Sequence, residues 1–145
     1  MPSSAHTQHL LLDTHVWIWL VTGQPGMLAP PVLAAIDAAG ARRELLVSIV
    51  SVWEIGLLHA RQRINLSMPI QTWVQQALSP PGIRLLPLSD PAVLLDSCAL
   101  PGEFHPDPAD RMLVAAARAE GATLVTRDRK ILDYAQLGHV RALAA

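Results

Sequence analysis

The amino-acid sequence predicts an α/β fold, a three-layer α/β/α sandwich with a mostly parallel central sheet. Short apolar segments with strand character alternate along the chain with longer segments of helical character. Turn signals typical of hairpins, such as Asn-Gly, do not join the apolar segments, so we expect helical crossovers between parallel strands. The length of 145 residues and the hydrophobic content of 51% match one compact domain.

Prolines, glycines and small polar residues set the predicted boundaries in the first half of the chain. Proline suits the first turn of a helix, and glycine suits the position just after its last turn. In order, these signals predict a strand at His9–Leu12, a helix through Trp17 and Leu20 to Gly23, a helix from Pro30 to Gly40, a strand at Leu45–Val47, a helix from Ser48 or Ser51 to about Arg61, and a helix that carries Trp73 and ends at Ser79.

The second half of the chain repeats the alternation. Aspartate and serine are good caps at helix starts, and they precede prolines at two predicted helices. In order, the sequence predicts a strand at Ile83–Leu86, a helix that opens at Ser89-Asp90-Pro91, a helix from Asp107-Pro108 to Glu120 with Gly121 as its stop, a strand at Ala122–Val125, a short helix from Asp128 to Tyr134, and a last strand near His139–Arg141.

The domain organisation follows from these elements. Residues 1–8 are a polar segment that we expect to be a flexible N-terminal extension, and residues 9–145 form a single domain. The extension carries no Lys or Arg, so it does not have the features of a signal peptide. The longest apolar segment is too short to span a bilayer, and a soluble cytoplasmic protein is the default expectation.

Charge and cysteine content exclude several classes of site. The net charge is −1, with 11 basic and 12 acidic residues, which gives no general positive field for nucleic acid. A nucleic-acid substrate would therefore need a local basic patch or a bound cation. Cys98 is the single cysteine, which excludes an intrachain disulfide and a cysteine-based zinc site. Its apolar neighbours predict a buried, inert thiol.

Two acids follow predicted strands. In open parallel sheets, ligands bind beyond the carboxyl ends of the strands. Asp13 and Asp128 each lie just past the end of a strand, so both are candidates for a site there. Each is also a good N-cap for the helix that follows it, and neither alone distinguishes a cap from a functional group.

Two further acids lie on predicted helices. Glu54 projects from a largely apolar helix face between Val50 and Leu58, and a glutamate there needs a partner or an opening to solvent. Asp110 occupies a similar position beside Leu113, but it also fits a simpler role. After a cap at Asp107, it would complement the first-turn amides and the helix dipole.

The combination of the four acids predicts a metal site. Two like charges about 4 Å apart repel by roughly 4 kcal/mol at an effective dielectric near 20, so four converging carboxylates need a cation. Hard oxygen ligands favour Mg²⁺ or Mn²⁺, and such a site supports phosphodiester hydrolysis. His15 and His105 lie near the predicted site, where we expect them behind the ligands or in solvent.

Four segments together carry a family resemblance. They are Leu11-Leu12-Asp13-Thr14-His15 followed by Trp17 and Trp19, Val50 to Ile55, Leu100-Pro101 with His105 to Arg111, and Leu124 to Asp128. In this order, the segments resemble the PIN-domain family, and within it the VapC-type ribonuclease toxins of type II toxin–antitoxin systems. The resemblance covers the chain from about residue 9 to its end, which implies that residues 9–145 form a PIN-like nuclease domain.

The resemblance implies a function and a set of roles. It implies a Mg²⁺- or Mn²⁺-dependent endoribonuclease, with Asp13, Glu54, Asp110 and Asp128 as catalytic metal ligands. Thr126 would be the hydroxyl beside the last acid, and Ser51 would be a polar neighbour of Glu54. Members commonly form homodimers and are silenced by a small antitoxin. The helices over residues 16–20 and 52–58 look suited to antitoxin docking.

Substrate contacts and alternative functions complete the predictions. The basic residues near two of the acids are candidates for phosphate contacts, and ordinary solvated positions are equally compatible with each of them; they are Arg111, Arg127, Arg129 and Lys130. Alternatives to a toxin are a PIN nuclease for RNA processing or single-stranded DNA without an antitoxin, and a non-catalytic PIN binding module. A phosphatase of the haloacid dehalogenase type also has an aspartate after its first strand, but it requires a second aspartate two residues later. His15 occupies that position here, which argues against this alternative.

Overall fold

The computed structural model describes residues 8–24 and 26–145. Five strands form one sheet in the described part of the chain, and they are β1 (Leu10–Leu12), β2 (Leu45–Ser48), β3 (Ile83–Leu86), β4 (Thr123–Thr126) and β5 (Arg141–Ala144). The helices are α1 (Thr14–Thr22), α2 (Pro30–Ala41), α3 (Ile49–Ala60), α4 (Ile70–Ala77), α5 (Pro91–Cys98), α6 (Pro108–Glu120) and α7 (Arg129–Gln136). The strand order is β3-β2-β1-β4-β5, and every neighbouring pair is parallel.

The sheet has a helical layer on each face, which confirms the predicted sandwich. In β1, Leu10 and Leu12 pack into the core formed with α1, α2 and α4, whereas Leu11 packs into the core formed with α6 and α7. Successive side chains of a strand point to opposite faces, so a central strand covered on both sides needs apolar residues throughout. This requirement explains the uninterrupted leucines of β1.

Most helix ends agree with the predicted boundary signals, although α2 continues to Ala41, one residue past the predicted stop at Gly40. The side chains of Asp13, Asp107 and Asp128 accept hydrogen bonds from backbone amides at the starts of α1, α6 and α7. Gly23 and Gly121 end α1 and α6 in the left-handed region, at φ 64° and 61°. A residue without a Cβ adopts that conformation with little steric cost.

The prediction for the last strand was wrong in its position. We expected a strand near His139–Arg141, and β5 instead pairs residues Arg141–Ala144 with Thr123–Thr126. Gly138 makes a turn at φ 88°, and Val140 is buried in the core beside α7 before the strand begins. Pairing with β4 therefore starts only where the chain reaches the level of Thr123.

The prediction of a buried thiol was also wrong, because Cys98 is exposed. Helix α5 lies at the periphery, where it turns Ser97 toward the protein and Cys98 toward solvent. Adjacent helical residues differ by about 100° in direction, so both cannot face the core. The neighbouring Leu95 is likewise 70% exposed.

The predicted flexible extension falls almost entirely outside the described residues. Only Gln8 of that segment is described, and its carbonyl accepts a 3.0 Å hydrogen bond from Arg42 Nη2. Among the described residues, no helix is both long and apolar enough to cross a membrane.

The sheet topology fixes where the candidate site lies. Strand β1 is central, with β2 on one side and β4 on the other, so the chain order reverses between β1 and β4. Such a reversal leaves a crevice at the carboxyl ends of the two strands. Asp13 follows β1 and Asp128 follows β4 by two residues, and both therefore lie at this edge.

Candidate active site

Asp13 is held at the end of β1 by bonds to two elements. Its backbone amide donates to Val125 O at 2.9 Å, which continues the pairing with β4. Its Oδ1 accepts from Thr14 N at 2.8 Å, and its Oδ2 accepts from Thr126 Oγ1 at 2.6 Å. The Thr126 hydroxyl also accepts from Asp128 N at 3.0 Å. Thr126 thus links the first and last of the four predicted acids.

Glu54 is reached from α1 by a buried hydroxyl. The Thr14 hydroxyl donates to Glu54 Oε1 and lies 2.8 Å from Ser51 Oγ. Thr14 and Ser51 are both buried. The predicted polar neighbour of Glu54, Ser51, is therefore connected to it through Thr14, to which the sequence analysis assigned no role in the site. Its place directly after Asp13 was the available signal.

Asp110 lies in the first turn of α6, beside the cap of that helix. Asp107 Oδ1 accepts from Ala109 N at 2.9 Å and from Asp110 N at 3.3 Å, so the capping role proposed for Asp107 is present. Asp110 Oδ2 lies 3.0 Å from His105 Nε2. Among the described residues, however, that nitrogen has no aligned hydrogen-bond partner, so the two side chains are in close contact without a well-formed hydrogen bond.

Asp128 has two roles in the structure. Its Oδ1 accepts from Lys130 N at 2.7 Å and from Ile131 N at 3.3 Å, which caps α7. The half-buried side chain also forms part of the wall of a cavity at the sheet edge. The cap that sequence analysis set against a functional role is real, and it does not remove Asp128 from the site.

The structure brings the four predicted acids together in one cavity of about 310 Å³. The lining residues are Asp13, His15, Val16, Trp19, Glu54, Asp107, Asp110, Arg127 and Asp128. A more open cavity of about 700 Å³ adjoins it through three shared acids, and its lining residues are His105, Pro106, Asp107, Asp110, Asp128, Arg129 and Lys130. Asp107 is a fifth acid of the site, which sequence reasoning had assigned to capping alone.

Burial and mutual repulsion change the acidity of three carboxyls. Burial, followed by the charges of Asp13, Asp107, Asp128 and Glu54, raises the pKa of Asp110 to about 8. Burial also raises the pKa values of Asp13 and Glu54, although hydrogen bonds from Thr126 and Thr14 partly oppose the change. The ionised forms of these carboxyl groups are therefore unfavourable together, and a bound cation would stabilise them.

The chemistry and charge of the carboxylates suit a divalent cation, but their side chains are not arranged around a common metal position. Oxygen donors alone select hard ions such as Mg²⁺ or Mn²⁺. Within residues 8–24 and 26–145, however, no group of three His, Cys, Asp or Glu side chains is arranged to hold a metal ion. Each oxygen of Asp13 accepts one hydrogen bond and keeps a lone pair for a cation, whereas Asp110 faces His105. Coordination by three or more of the acids would require side-chain rotations around Asp13.

Arg111, a predicted phosphate contact, is engaged inside the protein. Its Nε donates to Ser97 O at 2.7 Å, and its Nη1 donates to Phe104 O at 2.9 Å and to His105 O at 3.3 Å. These bonds hold the end of α5 and the loop before α6 in place. Arg111 also lines neither of the two acidic cavities.

The other three basic residues lie beside the acids. Arg129 and Lys130 line the open cavity next to Asp128. The Arg127 guanidinium lies over the ring of Trp19, with its carbon 4.7 Å from the ring centroid, and it donates to Met27 O. Two faces of the acidic cluster therefore carry positive charge.

Comparison with known proteins places the whole site within one family. Residues 10–137 match the PIN domain family. The chain is 36% identical over 125 residues to a protein named ribonuclease VapC22 from Mycobacterium tuberculosis (strain ATCC 25618 / H37Rv), across 86% of this chain and 91% of that protein. Its fold is similar to a chain of VapBC2 from Rickettsia felis bound to a DNA fragment from their promoter (TM-score 0.67, 14% identity, 93% and 97% of the two chains covered). It is also similar to a chain of DNA-bound VapBC from Salmonella typhimurium (TM-score 0.66, 14% identity, 94% and 98% covered). The matched segment runs from β1 into α7 and includes every acid of the cavity, and the chain belongs to the PIN domain family.

Proposed function

We propose that this protein is a divalent-metal-dependent endoribonuclease and the toxin of a toxin–antitoxin pair. The observation that carries the proposal is the meeting of Asp13, Glu54, Asp110 and Asp128 at one cavity beyond the carboxyl ends of β1 and β4. The four acids are half-buried, and the pKa values of Asp13, Glu54 and Asp110 are raised, which is typical of a functional site. The relative named ribonuclease VapC22 supports RNA as the substrate.

Mg²⁺ or Mn²⁺ is the proposed cofactor, held by the same four carboxylates. When bound, such an ion supplies Lewis-acid stabilisation of charge on the phosphate oxygens. The five nearby acids would otherwise repel an anionic backbone, so the cation also makes approach of the substrate possible. This requirement accounts for a nuclease with a net charge of −1.

The hydroxyl groups around the acids orient the ligands. Thr126 fixes Oδ2 of Asp13, and Thr14 holds Oε1 of Glu54 while it contacts Ser51. Hydrogen bonds of this kind favour the charged form of a carboxylate and restrict its rotation. We assign Thr14, Ser51 and Thr126 as positioning residues that hold Asp13 and Glu54 ready for a cation.

The open cavity is the proposed path for the RNA backbone. Arg129 and Lys130 stand beside Asp128 at the start of α7 and supply positive charge next to the acids. Phosphate contacts of this kind position a nucleic acid without reading its sequence. Because Arg111 already bonds three carbonyl groups, we assign it to the support of the loop instead of to the substrate.

We propose a small antitoxin as the partner protein, with α3 as its main docking surface. Trp53 is 50% exposed and Ile49 is 39% exposed on that helix, and exposed aromatic residues are frequent anchors of interfaces. The part of α1 considered for docking contributes less, because Val16, Trp17 and Ile18 are buried in the protein's own core. The complexes named VapBC support a partner of this type.

The homodimer and the cytoplasmic location remain proposals. The exposed leucines of α5, Leu94 at 41% and Leu95 at 70%, are an apolar surface of the kind that a second copy would cover. Sedimentation of the purified protein over a range of concentrations measures the oligomeric state directly.

Incubation with total RNA tests the enzymatic proposal. The purified protein should cut RNA in the presence of Mg²⁺ or Mn²⁺, stop when EDTA is added, and recover when the metal is returned. Sequencing of the new ends identifies the substrate and the bond. Equal cleavage with and without EDTA would contradict the metal requirement, and the absence of cleavage under all these conditions would contradict the enzymatic proposal itself.

A further inference from the structure

One wall of the acidic cavity is aromatic. His15 and Trp19 are one turn apart on α1, so they lie on the same helix face. Their ring centroids are 5.9 Å apart with planes tilted by 46°, and both line the cavity that contains Asp13 and Glu54. His15 is exposed, whereas Trp19 is half-buried and packs against the core. The exposed His15 ring thus packs beside the half-buried Trp19 ring, next to the acids.

The positively charged side chain of Arg127 also lines this cavity. Arg127 lies between Thr126 and Asp128, where β4 ends. Its guanidinium is fixed over the Trp19 ring at 4.7 Å and bonds the Met27 carbonyl. Cation–π contacts of this kind hold both partners in place and leave the remaining N–H groups of the arginine available. Aromatic surface and positive charge therefore meet in the smaller acidic cavity, whereas Arg129 and Lys130 line the adjoining open one.

Flat rings beside a hydrolytic cluster match the chemistry of a nucleobase. Proteins bind single-stranded nucleic acid by stacking bases on aromatic rings and by placing cations along the backbone. The cavity volume of about 310 Å³ is at the lower end of ordinary ligand sites and suits one flat group. The His15 ring is exposed and is therefore accessible to a base.

We propose that His15, Trp19 and Arg127 form a nucleobase subsite beside the acids, where a base of single-stranded RNA next to the cleaved bond stacks on His15. This inference rests on the proposed function and deepens it. Trp19 supports the His15 ring, and Arg127 holds Trp19 and attracts the adjoining phosphate. The backbone then continues past the acids toward Arg129 and Lys130, which gives the RNA a base contact on one side of the cut and phosphate contacts on the other.

A charge effect is the competing explanation for His15. A positive charge on His15 lowers the pKa values of Asp13 and Glu54, so the residue influences the acids without touching RNA. The two roles predict different substitutions. Phenylalanine retains a ring for stacking and removes the charge, whereas alanine removes both.

Binding of two probes separates these roles. One probe is a short fluorescein-labelled single-stranded RNA of mixed sequence, and the other is a ribose-phosphate chain of the same length without bases. Fluorescence anisotropy is measured with Ca²⁺ in place of Mg²⁺, and a gel verifies that the RNA remains intact. We expect His15→Ala to weaken binding of the RNA about tenfold, the size of one stacked base, and to leave binding of the base-free chain unchanged. His15→Phe should bind RNA like the unmodified protein.

Matched variants sharpen the test. His59 is an exposed histidine at the end of α3, and it lines neither acidic cavity. His59→Ala should therefore leave the binding of both probes unchanged. Trp19→Leu keeps an apolar side chain against the core and should weaken RNA binding as His15→Ala does; a circular dichroism spectrum checks its fold. The subsite is wrong if His15→Ala leaves RNA binding intact or weakens both probes equally.

Cleavage assays keep this inference distinct from the proposed function. If the protein binds RNA through His15 but cuts no RNA with Mg²⁺ or Mn²⁺, the subsite is supported and the enzymatic proposal fails. If the protein cuts RNA and its binding is indifferent to His15, the enzymatic proposal is supported and the subsite fails. Replacement of single bases around the mapped cut by abasic ribose then identifies the stacked position.

Discussion

The Thr126 hydroxyl donates a 2.6 Å hydrogen bond to Asp13 Oδ2 while it accepts one from the backbone amide of Asp128. Thr126 is fully buried, so water cannot replace either bond. One side chain at the end of β4 therefore sets the direction of the acid at the end of β1. This relationship makes the geometry of the candidate metal site depend on a residue that is not itself a ligand.

We expect Thr126→Val to reduce metal affinity and RNA cleavage while it preserves the shape of the side chain. Loss of a hydrogen-bond partner behind a ligand typically costs about 10- to 100-fold in metal affinity or activity. Calorimetric titration with Mn²⁺ and the kcat/KM for RNA measure the two effects. Thr123→Val is the control, since Thr123 is buried at the opposite end of the same strand and bonds Gln8. Equal losses in both variants would show a general effect on β4.

Substitution of the acids themselves should have a larger effect. Asp13→Asn and Asp110→Asn each remove a negative charge and a hard oxygen from the cavity. Each should lower cleavage by more than roughly 100-fold, the upper end for loss of a residue such as Thr126 that only hydrogen-bonds a ligand. Circular dichroism should show an unchanged fold. Asp37→Asn replaces an exposed acid on α2 and serves as the control. Full activity of either cavity variant would remove its residue from the catalytic set.

The raised pKa of Asp110 predicts an unusual pH dependence of stability without metal. The folded carboxyl titrates at about 8, against 3.8 for the ordinary group, so between these values the folded state binds the proton more tightly. Stability should therefore fall as the pH rises from about 4 to about 8, which is the direction that linkage gives for a raised acid pKa. Urea unfolding at several pH values in EDTA measures the slope.

Two comparisons test this origin of the slope. Asp110→Asn cannot ionise, so its stability should vary less with pH over the same interval. Mn²⁺ at about a hundred times its dissociation constant should stabilise the unmodified protein by about 2.7 kcal/mol, provided that it binds only the folded state. Because protons compete for the same oxygens, the metal should bind more tightly as the pH rises toward 8. A slope that survives in Asp110→Asn would assign it to other groups.

The basic residues should separate into two kinds. Lys130→Ala should weaken RNA binding and lower the slope of log K against log salt by about 0.7, the value for one phosphate contact on a single strand. Arg63→Ala, an exposed position after α3 that lines neither acidic cavity, should leave the slope unchanged. Anisotropy titrations at several salt concentrations give these slopes.

Arg111→Ala should behave differently from Lys130→Ala. It removes hydrogen bonds to Ser97, Phe104 and His105, and the loss should destabilise the fold by about 1–3 kcal/mol. The salt dependence of RNA binding should stay the same in the protein that remains folded. A changed salt slope with unchanged stability would restore Arg111 as a phosphate contact.

Local chemistry determined much of this protein from its sequence. Prolines, glycines and capping aspartates act within a few residues, so the helix starts at Pro30, Asp107 and Asp128 and the stops at Gly23 and Gly121 were predictable. The apolar segment His9–Leu12 predicted the first strand, which the structure has at Leu10–Leu12. Placement of Asp13 and Asp128 after strands of a parallel sheet also predicted that they would share one edge.

Contacts between distant segments were decided only by the tertiary structure. Thr14 meets Glu54 across 40 positions of sequence, and Thr126 meets Asp13 across 113. The internal partners of Arg111 and the exposure of Cys98 likewise depend on how α5 lies against its neighbours. Packing of both helical layers onto the sheet sets these distances, and neither propensity nor spacing encodes them. The sequence alone therefore predicted four of the five acids that line the cavity, whereas packing added Asp107 and decided which hydroxyl, ring and guanidinium groups surround them.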